Sequence, residues 1–210
     1  MPESLRARKK RDTENAIEIA AVELALERGH ANVTVADICK RADVSRSTFF
    51  NYMSSRETAL FGRSLHLLPA EHAAVIIEMS ADVPLTTAVF RLIIASIGHA
   101  QINAVVAEGR NRMLLEQPDT QAAILAPFLS LTTELTAFLA PWLAAHPERR
   151  RLADDDTSIM REASLTVLVT VSAFQSLISD TTGTGDVEAT EAAFRDSVRK
   201  LALLAEESAR

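Results

Sequence analysis

The sequence predicts an all-α protein, and three observations support this prediction. The 210 residues include only 6 Gly and 7 Pro, so few positions favour tight turns. Apolar residues recur at helical spacing in one segment after another, and the breaks between segments fall at clusters of Pro, Gly and Asp. The sequence has neither an alternation of strand and helix patterns nor a glycine-rich phosphate loop.

Charge divides the chain into two predicted domains. The formal net charge of −6 would by itself argue against a nucleic-acid partner. The charge is uneven, however: residues 1–61 carry 10 basic and 9 acidic side chains, whereas residues 62–210 carry 12 basic and 19 acidic ones. Five of the basic residues fall within residues 1–11 and form a basic N-terminal arm. We therefore predict one domain over residues 1–61 and a second over residues 62–210.

The first helix is predicted from a stripe of apolar residues that ends before Gly29. Residues three and four apart lie on one face of a helix, and glycine is favoured just after a helix end. The stripe comprises Ile17, Ala20, Ala21, Leu24 and Ala25.

Two short helices are predicted next from their capping residues. Thr34 is placed to cap a helix over residues 35–42, and Asp37, three residues on, is placed to complete a capping box. Ser45 is placed to cap the helix that follows. Helices of about two turns are not stable alone, so both must pack against their neighbours. Together they predict a helix-turn-helix.

The second short helix carries side chains that suit a DNA groove. If Phe49 and Met53 face the core, polar residues are left on the outer or N-terminal side. Arg pairs with guanine edges and Asn with adenine, while hydroxyls bind bases or phosphate. For each residue taken singly, the alternative interpretation is a solvated surface side chain. The polar set comprises Arg46, Ser47, Thr48, Asn51 and Tyr52.

These residues together resemble the DNA-binding domain of the tetracycline-repressor (TetR) family over residues 11–61. The resemblance implies an all-helical homodimer of about nine helices. Its N-terminal helix-turn-helix binds a palindromic operator in double-stranded DNA, and its C-terminal domain binds an inducer. The matching positions are Ile17-x-x-Ala20-Ala21-x-x-Leu24, Gly29, Val33-Thr34-Val35-x-Asp37-Ile38, Ala42-x-Val44-Ser45-x-Ser47-Thr48-Phe49-Phe50-x-Tyr52-Met53 and Arg56-Glu57-x-x-Leu60.

The resemblance also implies roles for single residues. Thr34 matches a cap that touches phosphate, and Tyr52 matches a phosphate or base contact. Arg56 matches a phosphate-binding position; it lies in the first turn of a helix, where the dipole disfavours a cation, so we predict a phosphate role over a structural one. Phe50 departs from the family's more frequent Tyr and loses a hydroxyl contact to phosphate. The predicted DNA-binding residues are Thr34, Ser45, Arg46, Ser47, Thr48, Asn51, Tyr52 and Arg56.

The remaining residues predict further helices. A capping box of Ser54 and Glu57 begins a helix that reaches residue 79 and is bent or broken at Pro69. Later helices are expected over residues 85–107, 119–145, 156–179 and 186–207. The last two resemble the helices with which family members form a dimer; the alternative for the first of these is a central core helix.

A cavity for a small hydrophobic or amphipathic effector is predicted from polar and aromatic residues on apolar helices. The alternative is that these side chains are plain core. Residues 110–118 resemble a segment of mycofactocin regulators, which implies an acyl-CoA-type effector. The candidate ligand-binding residues are Phe90, Ile94, His99, Asn103, Phe128, Trp142 and Phe174.

Other classes of protein have less support in the sequence. Asp154–Asp156 suggest an Mg²⁺-diphosphate site, but no fourth carboxylate follows, and a capped helix start beside Arg149–Arg151 explains the run. No other pattern matches a catalytic, cofactor or metal site. The alternatives to a repressor are a transcriptional activator and a small-molecule-binding protein with a vestigial helix-turn-helix.

A cytoplasmic protein without a membrane partner is expected from three features. The single cysteine, Cys39, cannot form an intramolecular disulfide, and a packed core thiol is its predicted state. The first residues carry charges where a signal peptide needs an apolar run. The longest charge-free stretch, residues 163–179, is too short and too polar for a membrane span.

Overall fold

The computed structural model describes residues 5–63, 65–152, 157–179 and 186–208, and these are mostly helical. The Asp154–Asp156 run lies outside the described residues. The elements in chain order are α1 (Leu5–Arg28), α2 (Val35–Arg41), α3 (Arg46–Tyr52), α4 (Arg56–Phe61), α5 (Ala70–Glu78), α6 (Leu85–Ile97), β1 (Gln101–Asn103), α7 (Ala104–Glu116), α8 (Gln121–Ala145), α9 (Ile159–Ser179), β2 (Asp186–Glu188) and α10 (Glu191–Ser208). The two strands, which the sequence did not predict, pair as a two-stranded sheet.

The chain forms two compact units whose boundaries differ from the predicted domains. The N-terminal unit comprises residues 1–64, 103–127 and 181–187. The C-terminal unit comprises residues 65–102, 128–180 and 188–210. The first division lies close to the predicted boundary after residue 61. The units differ from the predicted assignment of every residue beyond 61 to the second domain, because described residues within two later segments belong to the N-terminal unit.

The core of the N-terminal unit is formed by α1 to α4 together with α7. All five residues of the predicted stripe on α1 are buried, and Cys39 lies in the same core as an unpaired thiol, as predicted. Val106 and Met113 of α7 are buried in this core as well. The helix-turn-helix is therefore packed on one side by a segment that follows it by about fifty residues in the chain.

Gly109 allows α7 to lie close against α1. A Cβ atom built at this position would overlap Cγ1 of Val22, a stiff β-branched side chain. The next residue, Arg110, donates hydrogen bonds to Glu18 at 2.9 Å and to the carbonyl oxygen of Leu60 at 3.1 Å. Near the end of α1, the Gln117 side chain donates to the Ala25 carbonyl at 2.8 Å. These contacts tie residues 109–117 to the N-terminal unit.

The C-terminal unit has a separate core built by α5, α6, α8, α9 and α10. Phe90 stacks on Phe194 with ring centroids 4.3 Å apart and meets Phe174 edge-on at 6.1 Å. Glu162, 3% exposed, pairs with Arg150 at 2.8 Å. Burial alone would raise the pKa of Glu162, but its hydrogen bonds with the Arg151 backbone N–H and the Arg150 side chain lower it on balance.

Two of the predicted helices are interrupted. The helix predicted over residues 85–107 is wrong: α6 ends before Gly98, whose φ of +90° suits glycine, and Asn103 caps a new helix, α7. The helix predicted to bend or break at Pro69 ends earlier, at Gly62 with φ +102°, and Pro69 is the N-cap of α5. Because of the break after α6, the described ranges contain ten α-helices, whereas about nine were expected.

Two local predictions at helix starts also differ from the structure. The cap of α4 is Ser55, which accepts a hydrogen bond from the Thr58 backbone N–H at 3.1 Å, so the predicted cap at Ser54 is wrong. The basic arm is helical from Leu5 onward, as the first turns of α1. Arg11 in this stretch pairs with Asp186 at 3.2 Å.

Two stretches are long and apolar enough, by length and composition alone, to cross a membrane. They are Pro118–Ala145 and Ile159–Ser179. The second contains residues 163–179, which were expected to be too short for a span; the helix begins at Ile159 and is 21 residues long. Core helices of soluble proteins meet the same criterion, and α9 supplies much of the C-terminal core.

Replacing Gly109 by Ala is expected to destabilise the protein. The added methyl group forces Val22 or α7 to move, which costs about 1–3 kcal/mol and outweighs the roughly 1 kcal/mol that alanine gains in a helix. Denaturant unfolding measures the change in the free energy of unfolding. In a Val22→Ala background the same substitution is expected to be neutral or stabilising. An equal loss in both backgrounds would contradict the close packing of α7 on α1.

Candidate nucleic-acid interface

The first short helix, α2, begins at a complete capping box, as predicted. The Thr34 side chain accepts from the Asp37 backbone N–H at 3.2 Å, and Asp37 accepts from the Thr34 backbone N–H at 3.0 Å. The hydrogen bond from the Thr34 hydroxyl is the largest cause that lowers the pKa of Asp37 to about 2, followed by those from the Arg28 side chain and the Thr34 backbone. Arg28 lies 2.7 Å from the same carboxylate. This box fixes where α2 starts.

The turn between α2 and α3 is tight. Asp43 has φ +52°, a left-handed conformation that Asp tolerates better than most residues. The Val44 backbone N–H donates to the Cys39 carbonyl oxygen at 3.0 Å and closes the turn. Ser45 then caps α3, as predicted, by accepting from the Thr48 backbone N–H at 3.0 Å. The two helices thus form the expected helix-turn-helix.

Burial of one face determines how α3 is oriented. Phe49 and Met53 are 0% and 1% exposed, and Ile38 of α2 is 0% exposed in the same core. The opposite face of α3 is open: Arg46 and Asn51 are exposed, and their side chains make no hydrogen bond or ion pair within the part of the chain that the structure describes. These two polar side chains are therefore available to a groove.

Hydroxyl groups at the start of α3 and α2 are already used in capping. The Ser45 Oγ atom lies 2.8 Å from both the Ser47 Oγ and the Thr48 Oγ1 atoms. Thr34 and Ser45 hold helix N-termini, where backbone N–H groups favour an anion. Their predicted contacts with DNA stay predictions. The geometry assigns them a positioning role that does not require a partner.

Arg56 has a structural role that the sequence did not predict. Its guanidinium donates to the Val33 carbonyl oxygen at 3.0 Å and to that of His30 at 3.4 Å, and it pairs with Glu57 at 2.9 Å. It therefore joins the start of α4 to the loop before α2. These carbonyl oxygens stabilise a cation at the start of α4, and the predicted phosphate contact of Arg56 stays a prediction.

Other arginines hold the unit together rather than face outward. Arg41 at the end of α2 pairs with Glu27 at 2.8 Å and Glu23 at 3.2 Å, and these contacts join α2 to α1. Arg63 donates to the carbonyl oxygen of Tyr52 at 2.9 Å, which ties the end of α3 to the segment after α4. The Tyr52 ring is half-buried against the core. The Arg41 pairs thus hold α2 on α1, and the Arg63 hydrogen bond fixes the end of α3.

The predicted ligand-binding residues are dispersed. Phe90 and Phe174 are core residues of the C-terminal unit, in which Ile94 is half-buried. His99 is exposed after the end of α6, and Phe128 of α8 is half-buried. Asn103 has a different role: its side chain accepts from the Val106 backbone N–H at 3.1 Å and donates to Asp186 at 3.1 Å, so it caps α7 in the N-terminal unit.

Trp142 is the exception among these residues. It is 8% exposed and stacks on His146 with ring centroids 4.2 Å apart, and its buried indole Nε1 atom has no hydrogen-bond partner among the described residues. A buried donor without an acceptor is costly. In the ranges that the structure covers, no group of three His, Cys, Asp or Glu side chains is arranged to hold a metal ion.

Comparison with known proteins shows what the helix-turn-helix is similar to. Residues 19–61 match the family of bacterial regulatory proteins named the tetR family. The chain is also 26% identical over 139 residues to a protein of Mycobacterium tuberculosis designated a mycofactocin biosynthesis transcriptional regulator, MftR. That match covers 66% of this chain and 69% of the relative.

Two solved structures follow a similar course at low identity. GusR of Salmonella enterica is 18% identical with a TM-score of 0.40, over 90% of this chain and 92% of that one. FadR of Thermus thermophilus, a TetR family repressor in complex with lauroyl-CoA, is 21% identical with a TM-score of 0.34, over 90% and 93%. Both scores are low, so no conclusion is drawn from these two structures.

The capping box predicts an acid-sensitive contribution to stability. Because folding lowers the pKa of Asp37 from its ordinary 3.8 to about 2, its stabilisation is complete above the ordinary value and is lost as the pH falls through about 2. Urea unfolding at several pH values measures the free energy of unfolding. Asp37→Asn is expected to be less stable than the parent at neutral pH, and the difference in free energy should narrow below about pH 4.

Asp43→Asn is the matched control, since it removes an exposed carboxylate that makes no hydrogen bond within the described ranges. A gap between Asp37→Asn and the parent that stays constant from pH 5 to 2 would contradict the assigned role of the carboxylate.

Proposed function

We propose that this chain, a DNA-binding transcriptional regulator of the tetR family, acts as a homodimeric repressor. In this proposal α3 of each protomer enters the major groove of a palindromic operator, and a small hydrophobic or amphipathic effector bound in the C-terminal unit releases the DNA. The observation that carries the proposal is the open face of α3, where the Arg46 and Asn51 side chains have no hydrogen-bond or ion-pair partner among the described residues.

Charge and position favour DNA as the partner of this face. Arg and Asn side chains on a recognition helix pair with the major-groove edges of guanine and adenine. Exposed basic side chains of the first turns of α1, among them Arg6, Arg8 and Lys9, supply attraction to phosphate. The proposal retains Ser47, Thr48 and Tyr52 as contacts to bases or phosphate.

Apolar side chains on α9 and α10 support a homodimer. Leu165 and Leu168 of α9 are 41% and 48% exposed, and Leu203 and Leu204 of α10 are 51% and 68% exposed. Neighbouring exposed leucines on two long helices are a marker of a protein interface. Two identical faces related by a twofold axis would form a closed dimer and present two copies of α3 to one operator.

The buried indole of Trp142 supports an effector site in the C-terminal unit. An effector with a carbonyl or ether oxygen would accept from Nε1, while the apolar residues around it would bind its hydrocarbon part. Phe90, Ile94 and Phe174 belong to the same apolar core as Trp142, and the proposal retains Phe128 as a further contact. A DNA-binding regulator that responds to a small molecule acts in the cytoplasm. This role requires no catalytic or cofactor site.

Arg46→Ala is expected to weaken binding to specific DNA by roughly 1–3 kcal/mol, or about 5- to 150-fold, because a bidentate contact to a base is lost. The measurement is fluorescence anisotropy with a duplex from the DNA flanking the gene and a scrambled duplex of the same composition. Affinity for the scrambled duplex should change much less.

Arg112→Ala serves as the matched control, since Arg112 is exposed on α7 and pairs only with Glu116 among the described residues. Its affinity for both duplexes should equal that of the parent. If the parent and Arg46→Ala bind the flanking and scrambled duplexes with one and the same affinity, α3 does not read DNA.

A further inference from the structure

Phe50 is an exposed aromatic residue on the face of α3 that points away from the core. Its side chain is 47% exposed, whereas its neighbour Phe49 is 0% exposed and takes the buried place. A large apolar ring on the outside of a short helix gains little from burial within the chain. Its position leaves the ring available to a partner on that face.

The ring of Phe50 is held from two sides. On the core side, the ring packs edge-on against the Phe49 ring, with ring centroids 5.2 Å apart and an angle of 86° between the ring planes. One turn earlier on the helix, the Arg46 guanidinium lies over the ring with its Cζ atom 5.7 Å from the centroid. A planar guanidinium over an aromatic face is attracted to the ring, and this limits the directions in which it can point.

The chemistry of a phenyl ring restricts what Phe50 can contact in DNA. It has no group that donates or accepts a hydrogen bond, so it cannot bind phosphate as a hydroxyl would. The apolar group that the major groove presents is the C5-methyl group of thymine. A guanidinium that lies over the same ring is placed to pair with a guanine next to that thymine.

We propose that Phe50 is a specificity-determining residue that packs against a thymine methyl group, beside the guanine that Arg46 reads. Each half of the operator then contains adjacent T and G bases at the positions under α3. The inference rests on the proposed function, since it requires that α3 lies in the major groove. It adds the kind of base step that the helix prefers and the residue that selects the thymine.

The test starts from the operator itself. Full-length protein selects duplexes from a random-sequence pool, and the common half-site is determined by sequencing. Each thymine of that half-site is then replaced in both halves by deoxyuridine, which lacks only the methyl group. Dissociation constants are measured by fluorescence anisotropy for the parent, Phe50→Ala and Phe50→Leu.

One thymine per half-site is expected to matter to the parent. Removing its methyl group should weaken binding about fourfold per half-site, the value for losing one buried methyl group. Phe50→Ala should bind the thymine operator more weakly and should respond less than twofold to the deoxyuridine exchange. Phe50→Leu, which keeps an apolar side chain, should retain most of the response.

Three results would overturn the inference. The first is a half-site without adjacent T and G bases, and the second is equal sensitivity of the parent and Phe50→Ala to every deoxyuridine exchange. The third is an equal loss for Phe50→Ala on operator and scrambled duplexes, which indicates a defect of the fold. If the parent enriches no sequence at all, the proposed function fails as well, whereas the other results leave it intact.

Discussion

The candidate site depends on one constraint: α2 and α3 have seven residues each and cannot be stable as isolated helices. They persist because their inner faces are buried against α1 and because their first turns are capped by side chains. Phe49 and Met53 belong to the same core as Ile17 and Leu24 of α1, and this burial determines which way α3 faces. A change in that core would move every outward side chain of α3 together.

Function follows from the way this burial divides α3. Phe49 and the C-cap residue Met53 are buried, whereas Arg46, Phe50 and Asn51 are exposed. A single short helix therefore stabilises the unit and also presents a charged, an aromatic and an amide side chain. The acidic net charge of −6 conceals this, because five basic residues are concentrated within residues 1–11 and the acidic excess lies in residues 62–210. Phosphate attraction is correspondingly limited, and discrimination between sequences must come from α3 and from the spacing of two copies.

Features set by local chemistry could be predicted from the sequence. The Thr34–Asp37 capping box, the cap at Ser45 and the end of α1 before Gly29 depend on residues a few positions apart, and the structure has all three. The break after α6 was missed because apolar residues continue at helical spacing past Gly98. Gly98 as a helix end and Asn103 as a helix cap were nevertheless visible in the sequence. The role of Arg56 and the docking of residues 103–127 depend on partners far away in the chain, which no local pattern contains.

Footprinting on the DNA that flanks the gene is the decisive measurement of whether α3 reads DNA. Two α3 helices of a dimer should protect two inverted half-sites whose centres lie about 34–36 Å apart, or a multiple of that spacing, on one face of the duplex. Addition of the effector should remove the protection at both half-sites together. Uniform protection without half-sites, or no protection at a concentration that saturates non-specific binding, would contradict the assignment of α3 as the helix that reads DNA.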